Sequence, residues 1–173
     1  NDTPVTQVVS EDEILEKEVV SGISYSSDEA KITLRRVKDQ PGVAAGIFGP
    51  LADASVNVDM IVQNVSEDGK TTDLTFTVTA KDLDHAKEVL SEKKSKIGFD
   101  ELVSDSNLSK ISIVGVGMRS NTGVAKTMFN TLAKKNINIK VISTSEIKIS
   151  VLIDTEYTEL ALRALHSAYG LDQ

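Results

Sequence analysis

The sequence holds no cysteine among its 173 residues, which excludes a disulfide framework, thiol catalysis and thiolate metal sites. Tryptophan is absent too, and four phenylalanines with three tyrosines are too few for a base-stacking platform. Basic residues are outnumbered 19 to 26, and the net charge of −7 argues against a phosphate-dominated nucleic-acid partner. No apolar run approaches the ~18 residues of a membrane helix, so no membrane partner is expected. No export signal is read at the N-terminus, and together these absences suit a cytoplasmic protein. The chain opens on Asn1 rather than Met, which reads as a processed product or a fragment. What is present is ordinary globular composition, 40% hydrophobic and 26% charged, enough for one domain or two small ones.

The most informative feature is an internal repeat. Residues Gly42–Asn64 lie over Gly123–Ser145 at a constant offset of 81, with eight identities: Gly42/Gly123, Val43/Val124, Ala44/Ala125, Phe48/Phe129, Leu51/Leu132, Ala52/Ala133, Asn57/Asn138 and Ile61/Ile142. Two copies make a duplicated unit, not a solenoid.

The first copy reads strand, helix, strand, strand, helix, strand. Ala30–Arg36 is β-branched and partly alternating, and Asp39-Gln40-Pro41-Gly42 breaks it. Val43, Ile47, Phe48, Leu51 and Ala52 recur at helical spacing, with Pro50 expected to kink or fray that helix. Val56–Val65 is a second strand, Ser66–Lys70 a turn, and Thr71–Thr79 a third strand with Leu74, Phe76 and Val78 on one face. Asp82 is expected to cap a helix carrying Leu83, Ala86, Val89 and Leu90, and Ile97–Val103 to close the unit as a fourth strand.

The second copy repeats this plan with strand Lys110–Val116, helix Val124–Lys135, strands Asn138–Ser143 and Glu146–Ile153, and helix Thr158–Tyr169 capped by Gly170. In Glu146–Ile153 the residues Ile147, Ile149, Val151 and Ile153 are expected on one face. Too few residues follow for a fourth strand. Lys17–Tyr25 is strand-like, belongs to no repeat, and is expected to complete this second sheet, so that the first unit is inserted in the second. The expected division is a tail at 1–13, a leading strand at 14–28, the first unit at 29–104 and the remainder of the second at 105–173. The fold class is α+β: two ferredoxin-like βαββαβ modules, each an antiparallel four-stranded sheet with both helices on one face. The uncovered faces and edges favour pairing with a second copy.

Few motifs carry chemistry. Gly115-Val116-Gly117 precedes a helix, but the third glycine position is Ser120 and no acidic residue follows for a ribose. Gly69-Lys70-Thr71 leads into a strand, so it does not cradle phosphate. His85 and His166 lack partners at metal-binding spacing, and Ser143-Thr144-Ser145 has no histidine base. Neither a catalytic group, a metal nor a cofactor is expected. What stands out is a matched pair of strand-to-helix junctions, Gln40-Pro41-Gly42-Val43-Ala44 and Asn121-Thr122-Gly123-Val124-Ala125. Each presents backbone N–H groups at a helix start, which suits a carboxylate. The following strands carry Asp59 and Gln63 in one unit and Asn136 and Asn138 in the other; Asp59 is a ready acceptor for an amino acid's ammonium group.

At this point a resemblance enters. Val114–Ser120 with Asn138–Ile153, and Asp39–Gly42, Val58–Asn64 and Thr71–Phe76, resemble the regulatory region of bacterial aspartate kinases, over roughly residues 14–171. The string Ser143-Thr144-Ser145-Glu146-Ile147 is its most specific part. The resemblance implies a tandem of ACT domains, feedback control of aspartate phosphorylation by ATP, and a partner kinase domain or subunit. It places threonine against Asp39, Gly42, Val43, Ala44, Asp59 and Gln63, closed by Asn136, Asn138 and Ile139 of a facing module. It places a lysine-responsive second site at Ser120, Asn121, Thr122, Gly123, Val124 and Ala125 with Ser143, Thr144 and Ser145. Members of the family often carry an acidic residue at the position of Val43 and His-Pro at Asn121-Thr122, departures that bear on effector choice.

Two other readings compete. A stand-alone tandem ACT sensor acting through protein contacts is distinguished by whether a kinase subunit co-purifies. An RNA-binding module of the same topology needs paired aromatics on its central strands, where Phe76 is nearly alone. The phosphate-binding segment with which the family's kinase domains begin has no counterpart in these residues. The chain alone is therefore expected to give no ATP-dependent phosphorylation of aspartate in a coupled assay, and turnover by a homogeneous preparation would overturn that reading.

Overall fold

The computed structural model describes residues 20–115 and 122–171. The expected tail at 1–13, the start of the leading strand, and Val116, Ser120 and Asn121 lie outside them. The elements in order are β1 (Val20–Lys38), α1 (Val43–Asp53), β2 (Asp59–Val65), β3 (Thr71–Thr79), α2 (Leu83–Glu92), α3 (Lys94–Ile97), β4 (Glu101–Gly115), α4 (Thr122–Lys134), β5 (Val141–Thr144), β6 (Lys148–Asp154) and α5 (Thr158–Ala168). The strands hydrogen-bond in the order β2-β3-β1-β4-β6-β5.

The chain divides into two compact units, one of Asp28–Leu108 and one built from the residues on either side. In the first, β1 and β2 each run antiparallel to β3. Ile32, Leu34, Leu74, Phe76 and Val78 project from the sheet onto Ile47 and Leu51 of α1 and Ala86 and Leu90 of α2, all buried. The Phe48 ring meets Phe76 edge-on at 5.2 Å. In the second unit Ile111, Ile113, Val151 and Ile153 pack on Val124, Met128 and Leu132 of α4 and Ala161 and Leu165 of α5, with Val20 in the same cluster. Both helices therefore cover one face of each sheet. On the opposite face the two units make equivalent hydroxyl pairs across their central strands, Thr33 to Thr75 and Ser112 to Ser150.

Several local expectations change. The strands Lys17–Tyr25 and Ala30–Arg36 are one strand, β1, and β4 likewise continues through what reads as the end of one unit and the start of the next. The expected strand at Ile97 begins only at Glu101, because Lys94–Ile97 forms a helical turn closed by Gly98 at φ 82. Pro50 does not end α1: the helix runs on to Asp53, and the Pro50 carbonyl accepts from Ala54 N–H. Asp82 does not cap α2 with its side chain; it closes a 3₁₀ turn and instead accepts from the Thr79 hydroxyl. Ile147 precedes β6 and is 54% exposed, unlike Ile149, Val151 and Ile153.

Two polar clusters pin the first unit. The Arg36 backbone takes φ 54 at a bulge, its N–H donates to Asp73, and its guanidinium lies 2.6 Å from Asp100, whose hydrogen bond chiefly raises the Arg36 pKa. Exposed pairs of this kind contribute little to stability. In the β2–β3 turn, Asp68 accepts from the Ser66 hydroxyl and the Lys70 N–H, and the Ser66 bond above all holds its carboxyl below its ordinary value. A depressed value means that this hold on the turn is present at neutral pH and fades as pH falls through it.

Phe76 is fully buried between both helices and the sheet. Phe76→Ala is expected to destabilise this unit by roughly 3–5 kcal/mol through lost burial and a residual cavity. Urea denaturation measures it, and a loss below about 1 kcal/mol would remove Phe76 from the centre of the core.

Candidate functional site

The first junction is built by a break in β1. After Lys38, the Asp39 N–H donates to the Lys70 carbonyl at 3.0 Å, which ties the junction to the β2–β3 turn. Gly42 then takes φ 90, a left-handed conformation that side chains resist, and becomes the N-cap of α1 without any side-chain cap. Val43 N–H turns back to the Gln40 carbonyl, and Gly46 N–H makes the first helical bond, to Gly42. The amides of Ala44 and Ala45 are thus left at the helix start, where an anion satisfies them. Asp39, Gln40, Pro41, Gly42 and Ala44 are exposed, while Val43 is half-buried against the core.

Strand register decides which residues can join this junction. Lys38 pairs with Thr71, and on β2 Gln63 pairs with Leu74 while Asp59 pairs with Thr77. At about 3.3 Å per residue, Gln63 lies roughly 10 Å along the ladder from the Lys38–Thr71 rung that ends β1, and Asp59 roughly 20 Å. Asp59 therefore stands six rungs from the end of β1, with the residues at the start of β2. Physically, β1 and β2 run parallel, so the start of β2 lies at the far end of α1. The Asp59 carboxylate bonds the N–H of Met60, which bulges at φ 47.

The second unit repeats the strand-start end, whereas α4 begins at Thr122, the repeat position of Pro41, and so takes Gly123 into the helix. After α1 and α4 the chain turns identically: Ser55 and Asn136 take φ 62 and 57, and donate to Ala52 and Ala133. The next residues, Val56 and Ile137, are buried and donate to Leu51 and Leu132. Asn136, Asn138 and half-buried Ile139 therefore stand where Ser55, Asn57 and Val58 stand in the first unit, at the start of a strand. Thr122, Gly123, Val124 and Ala125 open α4, with Val124 buried; Ser120 and Asn121 lie outside the described residues. Ser143 and Thr144 end β5, and Ser145 N–H bonds Lys148. Each unit thus offers a helix-start group (Asp39–Ala44 with Gln63; Thr122–Ala125 with Ser143–Ser145) and, at its other end, a strand-start group (Asn57–Asp59; Asn136–Ile139).

Sequence alone carries no register, so it does not separate Asp59 from Gln63 along β2; the ladder does. Nor does sequence show the groove of about 490 Å³ between α4 and α5. Among the described residues no cluster of His, Asp or Glu is arranged to hold a metal. No described helix is long and apolar enough to cross a membrane.

Comparison with known proteins gives the family. ACT domain families match residues 32–94 and 111–169. The aspartate kinase of Pseudomonas fluorescens is 54% identical over 164 residues, and the aspartokinase of Pseudomonas aeruginosa 56% over 162. These matches take in 95% and 94% of this chain, which spans only about 40% of the relatives' length. Among solved structures, a chain from a crystal structure of aspartokinase alpha and beta subunits is 50% identical with a TM-score of 0.80, and 88% of this chain covers 99% of it. The ligand-free regulatory subunit of aspartate kinase from Thermus thermophilus is 41% identical with a TM-score of 0.79, and 87% of this chain covers 98% of it. The chain belongs to the aspartokinase family, as its regulatory pair of ferredoxin-like ACT domains.

Proposed function

We propose that this chain is the cytoplasmic amino-acid sensor of an aspartate kinase, and that it feeds threonine and lysine levels back onto the first phosphorylation of aspartate. The observation that carries this is the start of α1, open at Ala44 and Ala45 beneath a left-handed Gly42, in a family whose regulatory subunits have this fold. The partner is a kinase catalytic domain or subunit, for which the chain supplies no chemistry of its own.

The two groups of each unit lie at opposite ends, so neither unit closes a site alone. A second copy resolves this: edge strands β2 and β5 carry the exposed Ile61, Val65 and Ile142, apolar residues suited to pairing. In that homodimer the helix-start group Asp39–Ala44 with Gln63 receives threonine, and Asn136, Asn138 and Ile139 of the other copy close over it. Asp39 is the carboxylate at hand for the ammonium. The second helix-start group, Ser120–Ala125 with Ser143–Ser145, then faces Asn57 and Asp59 of the other copy. Asp59 there supplies a negative charge for the side-chain ammonium of lysine. The same fold as a stand-alone sensor predicts the same binding without a kinase partner.

Calorimetry with each amino acid tests the assignment. A hydrogen bond to a charged group contributes about 1.5–3 kcal/mol, so Gln63→Ala is expected to weaken threonine roughly 10- to 150-fold and leave lysine unchanged. Asp59→Ala is expected to weaken lysine by a similar factor and spare threonine. Threonine lost in Asp59→Ala, with lysine untouched, would reverse the grouping; no heat with either ligand would end the sensor reading. Sedimentation at saturating effector is expected to give a dimer, and a monomer there would count against the shared sites.

A further inference from the structure

We propose that the acidic segment Glu11–Glu18 of this chain docks into the basic groove between α4 and α5. The groove, about 490 Å³, is lined by Lys134 and Lys135 at the end of α4 and by Leu160, Arg163, Ala164 and Ala168 of α5. Lys134, Lys135 and Arg163 are exposed, and none has an ion pair among the described residues, including Arg163 with Glu159 one turn earlier on α5. Three uncompensated cations around an apolar strip, on a chain of net charge −7, call for a carboxylate-rich occupant with apolar residues between its charges.

Residues 11–18 have that composition. Glu11, Asp12, Glu13, Glu16 and Glu18 stand against one cation, Lys17, and enclose Ile14 and Leu15. The segment is also tethered to the right unit. Val20, two residues on, is buried in the core made by Met128, Leu132, Ala161 and Leu165, the inward residues of the same two helices. At about 3.3 Å per extended residue, the nine residues from Val20 back to Glu11 span up to roughly 30 Å. The whole of α4, 13 residues, is about 20 Å long, so every part of the groove is within reach. A short tether holds the segment at an effective concentration near the millimolar range, so weak charge pairing suffices to occupy the groove.

The proposal is independent of effector binding and is tested on the full chain by hydrogen exchange with mass spectrometry. At low salt the amides of residues 11–18 are expected to exchange about tenfold more slowly than in about 1 M NaCl, where charges are screened beyond ~3 Å. The variant K134E/K135E/R163E is expected to lose this protection at low salt with an unchanged thermal transition. Adding E11K/D12K/E13K to it is expected to restore the protection. Equal exchange in wild type and the triple variant, or failure of the compensating changes to restore protection, overturns the proposal. Protection that grows with protein concentration overturns it too, by assigning the groove to a second copy's segment.

Discussion

A four-stranded ferredoxin-like sheet needs an outer strand beside the one that opens its unit, and here β1 and β4 supply it reciprocally. Residues 20–27 of β1 belong to one unit and 28–38 to the other, and β4 is divided the same way at Leu108. Within the first unit the Asp100 N–H bonds the Arg35 carbonyl; within the second the Ser21 hydroxyl bonds the Val114 carbonyl. Each contact lies within its own unit, and a slip of one residue there would turn the buried Ile32 and Leu34, or Ile111 and Ile113, to the opposite face of the sheet. The burial of each unit's core therefore depends on a register set by strands that also serve the other.

That register reaches the functional ends. Because β1 and β2 both run antiparallel to β3, the end of β2 lies at the helix-start side of the unit and its beginning at the other. A residue's place along the strand decides which end it serves, whatever face it shares with its neighbours. Gln63, opposite Leu74, and Asp59, opposite Thr77 beyond a bulge, differ both in face and in the end they serve. The left-handed turns at Ser55 and Asn136 fix the other boundary, since each brings a buried residue, Val56 or Ile137, back onto the helix before the strand begins.

Much of this is legible in the sequence because it is local or periodic. The apolar spacing from Val43 to Leu51 gives α1, the alternation from Leu74 to Val78 gives the inner face of β3, and the offset of the repeat gives the duplication. The inserted order follows from a count of strands. What sequence does not carry is whatever depends on pairing. Fusion of two strand signals into β1 is invisible because Ser26-Ser27-Asp28 reads as a break, yet the ladder runs through it. Pro50 reads as a helix breaker, since it removes its own N–H bond and crowds the carbonyl one turn back, but the helix continues to Asp53, packed through Ile47 and Leu51. Asp59 reads as a partner for Gly42 because both lie in one repeat, and only the ladder places them apart.

The duplication is most informative where it is broken. Two sites that kept identical residues after duplication would bind the same ligand with the same affinity. At the strand starts, however, Asp59 stands at the repeat position of Lys140, a reversal of charge within otherwise equivalent turns. The Lys140 ammonium lies 3.5 Å from Asp154, and the Asp59 carboxylate accepts from the Met60 N–H on an edge strand. At the strand ends Gln63 stands opposite Thr144 in the repeat, a two-ended amide against a single hydroxyl. The Gly-Val-Ala sequence at the two helix starts is a feature the copies share. The positions that diverged are where a difference of affinity between two ligands can be built, by attraction to one or repulsion of the other. The repeat thus shares its helix-start sequence and departs from itself in charge at its strand starts.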